Sequence, residues 1–94
     1  MHVATLWLEL RVGDCLTLRQ KRRRMRAIIE RLHRHFNVSV AEVGRLDLPA
    51  EAVLGVAAVG GTRRDAREVL RRVADALGAH PRAEVLVQVV TDLL

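Results

Sequence analysis

The order in which strand-like and helix-like hydrophobic patterns follow each other narrows the folds open to this chain more than any other feature. Residues 2–12, HVATLWLELRV, alternate with period two, which predicts a strand with one core face. The residues on that face are Ala4, Leu6, Leu8, Leu10 and Val12. Gly13 and Asp14 then interrupt the alternation, so we expect the strand to end at Val12.

A helix is predicted directly after this strand. Thr17 and Gln20 have the spacing of a capping box, which places the first helical residue at Leu18. Apolar side chains then recur at helical spacing and form one stripe, with Lys21 and Arg22 at its flanks. The members of the stripe are Met25, Ile28, Ile29, Leu32 and Phe36. We therefore expect a first helix from Leu18 to about His35.

The rest of the chain predicts a β-hairpin, a second helix and a last strand. VSVAEVGRL and AVLGVAAVG, at 38–46 and 52–60, predict two strands joined by a loop that contains Pro49. Thr62 and Asp65 fit a second helix start, and helical spacing continues to Gly78. AEVLVQVVTDLL, after Pro81, predicts a last strand that is apolar on both faces for part of its length.

The predicted order is βαββαβ in a single domain over residues 1–94. Two right-handed crossovers joined by a hairpin give a ferredoxin-like α+β fold, with an antiparallel sheet of order 4-1-3-2 and both helices on one face. Val3, Thr5 and Trp7 then lie on the uncovered sheet face. We expect a partner there, with a symmetric homodimer as first choice, formed through that face or through the edge of the last or second strand.

Positive charge is concentrated in the first helix. The chain carries a formal net charge of +5, yet residues 17–36 hold eight basic side chains against one acid, Glu30. Like charges at i,i+4, such as Arg19 with Arg23, and cations in a first helical turn both destabilise a helix. Two explanations of this concentration of basic side chains are open. The side chains serve only to keep the helix surface solvated, or they form a binding surface for an anion.

The anion-site hypothesis depends on the sheet. We expect strands one and three to be adjacent and parallel, so that both helix N-termini emerge at one edge. The residues expected to bind an anion or RNA there are Thr17, Arg19, Lys21, Arg22, Arg23, Arg26, Thr62, Arg63 and Arg64. With one Trp, one Phe and no Tyr to stack on bases, RNA would be recognised through its backbone and shape.

Three segments and Asp47 carry a resemblance to a known family. FNVSVAEV at 36–43, preceded by TLRQKRR at 17–23 and followed by Asp47 and AVLGVAAV at 52–59, resembles the YlxP-like family of small bacterial proteins of unknown function. The resemblance implies a ferredoxin-like fold and a bacterial cytoplasmic protein. Members of that family tend to be encoded among translation and ribosome-assembly genes, which implies contact with RNA or the ribosome.

No set of residues predicts a reaction. His33 and His35 point to different sides of a helix, the turn at Gly60 and Gly61 lacks a nucleotide-binding pattern, and Cys15 has no base assigned to it. We expect no metal, no cofactor, no leader and no membrane segment, and a structural ion pair at Glu42. The function predicted is a non-enzymatic RNA- or ribosome-binding protein in which Arg22 and Arg23 matter most. The alternative is an oligomeric regulatory module that binds a small anionic ligand at a subunit interface.

Overall fold

Four strands and two helices alternate along the computed structural model, which describes all 94 residues. Their bounds are β1 His2–Val12, α1 Leu18–His35, β2 Ser39–Gly44, β3 Glu51–Gly60, α2 Arg63–Gly78 and β4 Ala83–Asp92. The βαββαβ order is the predicted one. β2 ends two residues earlier than predicted, where Arg45 takes a left-handed backbone conformation with φ of 53° and turns the chain toward β3.

The sheet has the order β2-β3-β1-β4, and each pair of neighbouring strands is antiparallel. This is the predicted ferredoxin-like arrangement, but the expectation that β1 and β3 run parallel is wrong. Crossover helix α1 returns the chain so that β2 runs parallel to β1, and the hairpin then reverses the direction in β3. Consequently His2 at the start of β1 pairs with Gly60 at the end of β3, and Arg11 pairs with Glu51.

One hydrophobic core lies between the sheet and both helices. The predicted core face of β1 is buried along its whole length, from Ala4 to Val12. Met25, Ile28 and Leu32 of α1 and Leu70 of α2 pack in the same cluster, so both helices cover one sheet face, as predicted. No helix combines the length and hydrophobicity needed to cross a membrane.

Candidate nucleic-acid interface

The N-terminus of α1 is closed by its own side chains. Thr17 Oγ1 accepts a hydrogen bond from Gln20 N at 3.2 Å, which completes the predicted capping box. Gln20 Oε1 in turn accepts from Thr17 N at 3.1 Å and from Leu16 N at 2.7 Å. Several of the donors that could have bound an anion at this helix start are therefore already paired.

The two helix starts do not meet, which corrects the predicted site. α1 follows the end of β1, and α2 follows the end of β3. Because β1 and β3 are antiparallel, these two strand ends lie at opposite ends of the sheet along the strand direction. The nine residue steps from His2 to Arg11 separate them by about 30 Å. Thr62, Arg63 and Arg64 therefore belong to a different surface from the basic residues of α1.

The start of α2 is also less cationic than its sequence suggests. Thr62 Oγ1 accepts from Asp65 N at 3.0 Å, and Asp65 adds an acid to the first turn. Arg63 Nε lies 3.8 Å from a carboxylate oxygen of Asp92, while Arg64 has no carboxylate within ion-pair distance. The Gly60 turn before this helix is thus a strand-to-helix connection with a capped helix start.

Lys21 is not part of any binding surface, contrary to the prediction. Its side chain is fully buried, and Nζ lies 2.9 Å from Glu42 Oε2. Nζ also donates to the carbonyl oxygens of Arg45 at 2.7 Å and Glu51 at 2.9 Å. The predicted structural role of Glu42 is confirmed, because this ion pair joins α1 to β2 and to both ends of the hairpin loop.

The surface of α1 keeps a large number of unpaired positive charges. None of its seven arginines has a carboxylate within 4.0 Å, although eight of the chain's acids are in ion pairs with other residues. Six of these arginines are exposed and Arg24 is half-buried. The exposed ones are Arg19, Arg22, Arg23, Arg26, Arg31 and Arg34. We call this surface, with Arg24, the α1 arginine surface.

A groove runs along one side of this surface. It has a volume of about 470 Å³, and Asp14 is its one acidic lining residue. The other polar residues that line it are Gln20, Arg23, Arg24, Arg31, Arg34 and His80. Those on α1 recur at the spacing of one helix face, so four of the arginines line this groove. Arg24 is fixed there by donating to the carbonyl of Gly13, while the tips of the others remain free.

His80 reports the positive potential in this groove. Its Nδ1 accepts a hydrogen bond from Arg82 N at 3.1 Å, which suits the neutral imidazole. Partial burial lowers the pKa of His80 below its ordinary value, and the charges of Arg31, Arg24 and Arg82 lower it further. Arg31→Gln should therefore raise the pKa of His80. An NMR titration of the imidazole checks this, with Arg26→Gln as control, and an unchanged pKa in the Arg31 variant would contradict it.

The same groove continues into a second one between the helices. This second groove has a volume of about 410 Å³ and shares Ile28, Arg31 and His80 with the first. Leu32 and Leu77 add apolar lining, and Arg72 lies over the Phe36 ring at 5.5 Å from its centroid. Together the two grooves place cationic side chains beside apolar ones, which suits an anion that has a flat apolar part.

The uncovered sheet face is apolar around Trp7, as predicted. Trp7 is 44 % exposed, whereas Val3 and Thr5 are half-buried. Trp7 Nε1 donates to Glu9 Oε2 at 3.1 Å. This bond and the guanidinium of Arg45 hold the pKa of Glu9 below its ordinary value. Trp7 is thus held in place on the sheet face opposite to α1.

The remaining reactive side chains do not extend the site. Cys15 is a free thiol buried in the core, at the turn that leads into α1. No group of three or more His, Cys, Asp or Glu side chains is placed to hold a metal ion.

Comparison with known proteins shows the family. The family model described as a protein of unknown function, DUF503, matches residues 3–89 of the chain. The chain belongs to the DUF503 family. It is also similar to the "Uncharacterized protein YlxP" of Bacillus subtilis (strain 168), with 32 % identity over 73 residues that span 78 % of this chain and 79 % of that protein. The predicted resemblance to the YlxP-like family is confirmed.

Sequence reasoning missed part of the site in this DUF503 chain. Arg31 and His80 were not among the predicted binding residues, yet both line the groove. The helical spacing of Gln20, Arg23, Arg31 and Arg34 was a usable signal, because it places them on one side of α1. His80 could not be found in this way, since only the fold brings the end of α2 beside α1.

Proposed function

We propose that this protein is a non-enzymatic, cytoplasmic RNA-binding protein that contacts the RNA backbone through the α1 arginine surface. The observation that carries the proposal is that all seven arginines of α1 lack a carboxylate partner. Guanidinium groups bind phosphate oxygens in a bidentate way, and a row of them along a helix matches the spacing of a polyanion better than a single small anion.

The type of RNA contact follows from what lies near the arginines. Trp7 is on the opposite sheet face and Phe36 is covered by Arg72, so neither offers a free platform for a base beside the exposed arginines. Binding would therefore depend on phosphate positions and on the shape of a folded RNA. The translation-linked genes implied by the family resemblance favour ribosomal RNA or a ribosomal particle as the partner.

Removing two arginines tests this proposal. In the Arg22→Gln/Arg23→Gln variant, two phosphate contacts are lost, so affinity for a structured ribosomal RNA fragment should fall about 10- to 30-fold at 0.15 M salt. The slope of log K against log[salt] should become less steep by about 1.4 to 1.8. Filter binding or fluorescence anisotropy over a salt series measures both quantities.

The matched control removes the same charge elsewhere. Arg11 and Arg63 are exposed, with 60 % and 65 % of their side chains accessible, but they lie on other surfaces. The Arg11→Gln/Arg63→Gln variant should retain most of the affinity. Equal losses in the two variants would mean that net charge alone drives binding, and absence of salt-sensitive binding by the unaltered protein would refute the function.

A second candidate function is the binding of a small anionic metabolite. The observation that favours it is the groove between the helices, where Arg31 and Arg72 stand beside Phe36 and Leu77. This candidate places the ligand within one chain instead of at a subunit interface. A thermal shift of several degrees with one acidic metabolite, together with no affinity for RNA, would support it over RNA binding.

A further inference from the structure

The groove between α1 and α2 has the size of a site for one small ligand. Its volume of about 410 Å³ falls within the range of about 300–1,000 Å³ that is usual for such sites. Ile28, Leu32 and Leu77 are buried side chains that form its apolar floor. Ala76 and Ala79 line the α2 side and leave it open, because neither side chain extends beyond Cβ. The groove therefore has room for a planar ring system such as a nucleobase.

The polar side chains around this groove can all donate hydrogen bonds, and none is acidic. They are Arg31, His35, Arg72 and His80. Neither arginine has a carboxylate within 4.0 Å. His80 Nδ1 accepts from Arg82 N at 3.1 Å, so the proton of the neutral imidazole lies on Nε2, which remains a donor. The groove thus offers donors to the ring nitrogens and carbonyl oxygens of a base.

The two grooves beside α1 suit different parts of a nucleotide. α2 ends at Gly78 beside the groove between the helices, and no basic residue lies in its last turn. The C=O groups at this helix end carry a partial negative charge, which disfavours a phosphate and tolerates an uncharged base. The groove along α1 is lined by Arg23 and Arg24 and favours the phosphate. Arg31 lines both grooves and lies where base and phosphate would meet.

The length of the groove along α1 favours a nucleotide that belongs to a chain. Arg23 and Arg34 both line it, and the helical rise separates them by about 16 Å along the axis. A single phosphate group cannot contact both arginines, whereas successive phosphates of an RNA strand can. In a fully paired RNA helix the bases are stacked and cannot enter the groove between the helices. An unpaired nucleotide can place its base there while the neighbouring phosphates follow α1.

We propose that the groove between α1 and α2 binds one unpaired nucleotide of the RNA, such as a bulged residue, with its base between the helices and its phosphate at Arg31. This proposal rests on the RNA-binding function and names the feature of the RNA that the protein recognises. Phosphate contacts along α1 give affinity for any folded RNA, and the groove adds a preference for one that carries an extruded base.

Two RNA hairpins that differ only in one bulged nucleotide test this site. In fluorescence anisotropy at 0.15 M salt, the unaltered protein should bind the bulged hairpin about 5- to 30-fold more tightly, as expected for one accommodated base. Ala76→Leu fills the groove without changing the charge or the helix propensity much. This variant should bind both hairpins with the affinity of the unaltered protein for the fully paired one. Circular dichroism verifies that it is folded.

The matched control adds the same side chain on another surface. Ala41 is exposed on the open sheet face, so Ala41→Leu should retain the preference for the bulged hairpin. Loss of the preference in both variants or in neither would overturn the location of the site.

Failure of this proposal can be told from failure of the RNA-binding function. Equal affinity of the unaltered protein for the two hairpins, with both affinities lowered in Arg22→Gln/Arg23→Gln, would overturn the nucleotide site and leave the RNA-binding function in place. Absence of salt-sensitive binding to either hairpin would refute both. Amide NMR shifts at Ala76 and His80 on adding a free nucleoside monophosphate, without a preference between the hairpins, would assign the groove to a free metabolite and overturn the proposal.

Discussion

Replacing Lys21 by Met should destabilise the protein by about 3–5 kcal/mol, which is the usual cost of leaving a buried charge without its partner. Lys21 is the one lysine in the chain and is fully buried. Without it, the carboxylate of Glu42 loses its cation, and the carbonyl oxygens of Arg45 and Glu51 lose their donor. Urea unfolding followed by circular dichroism measures the loss.

Two further variants separate the causes of this effect. Lys21→Met/Glu42→Gln should be more stable than Lys21→Met by at least about 1 kcal/mol, because the orphaned charge is then absent. Lys21→Arg should be less stable than the unaltered protein. A planar guanidinium cannot replace the single ammonium nitrogen that contacts the Glu42 carboxylate and both carbonyl oxygens. Exposed Arg22→Met serves as control and should change stability by less than about 0.5 kcal/mol. A cost below about 1 kcal/mol for Lys21→Met would contradict the structural role.

Gly60→Ala should cost about 1–3 kcal/mol, because the new methyl group meets backbone atoms that cannot move separately. A Cβ at Gly60 would lie 2.7 Å from Ala66 N and 2.9 Å from Thr62 O, in the first turn of α2. The start of α2 would have to move away from the end of β3. Thermal or urea unfolding gives the size of the effect.

The neighbouring glycine supplies the matched control. A Cβ at Gly61 has no atom within 4 Å, and neither glycine has a positive φ. Gly61→Ala should therefore be neutral, or stabilise the protein by up to about 1 kcal/mol through a less flexible unfolded chain. Equal destabilisation by the two alanines would show that backbone flexibility, and not the close approach to α2, requires glycine at position 60.

Local patterns predicted the elements well because each depends on neighbours in sequence. The alternation in β1 identified its core face, and Thr17 with Gln20 located the start of α1 at Leu18. The strand directions were wrong where they concerned β1 and β3, which are joined through two intervening elements. The crossover and the antiparallel hairpin together determine that direction. The prediction that the two helix starts meet was wrong because it did not take them into account.

The error at Lys21 has a different origin. Lysine is rarely buried without a partner, so a flanking position with a solvated ammonium was the natural expectation. Its partner Glu42 lies 21 residues further along the chain, and the two carbonyls belong to Arg45 in the hairpin loop and Glu51 at the start of β3. The position on the helix was nevertheless informative, because Lys21 shares one face with Met25, Ile28 and Leu32.

The most direct test of the central claim is to map the bound RNA on the protein. Backbone amide NMR shifts would be recorded while a structured ribosomal RNA fragment is added at about 0.1 M salt. We expect the perturbed amides to cluster along α1, at Arg23, Ala27, Arg31 and Arg34, and at His80. Perturbations centred on Trp7 and the open sheet face, or none at saturating RNA, would contradict the claim that the α1 arginine surface binds RNA.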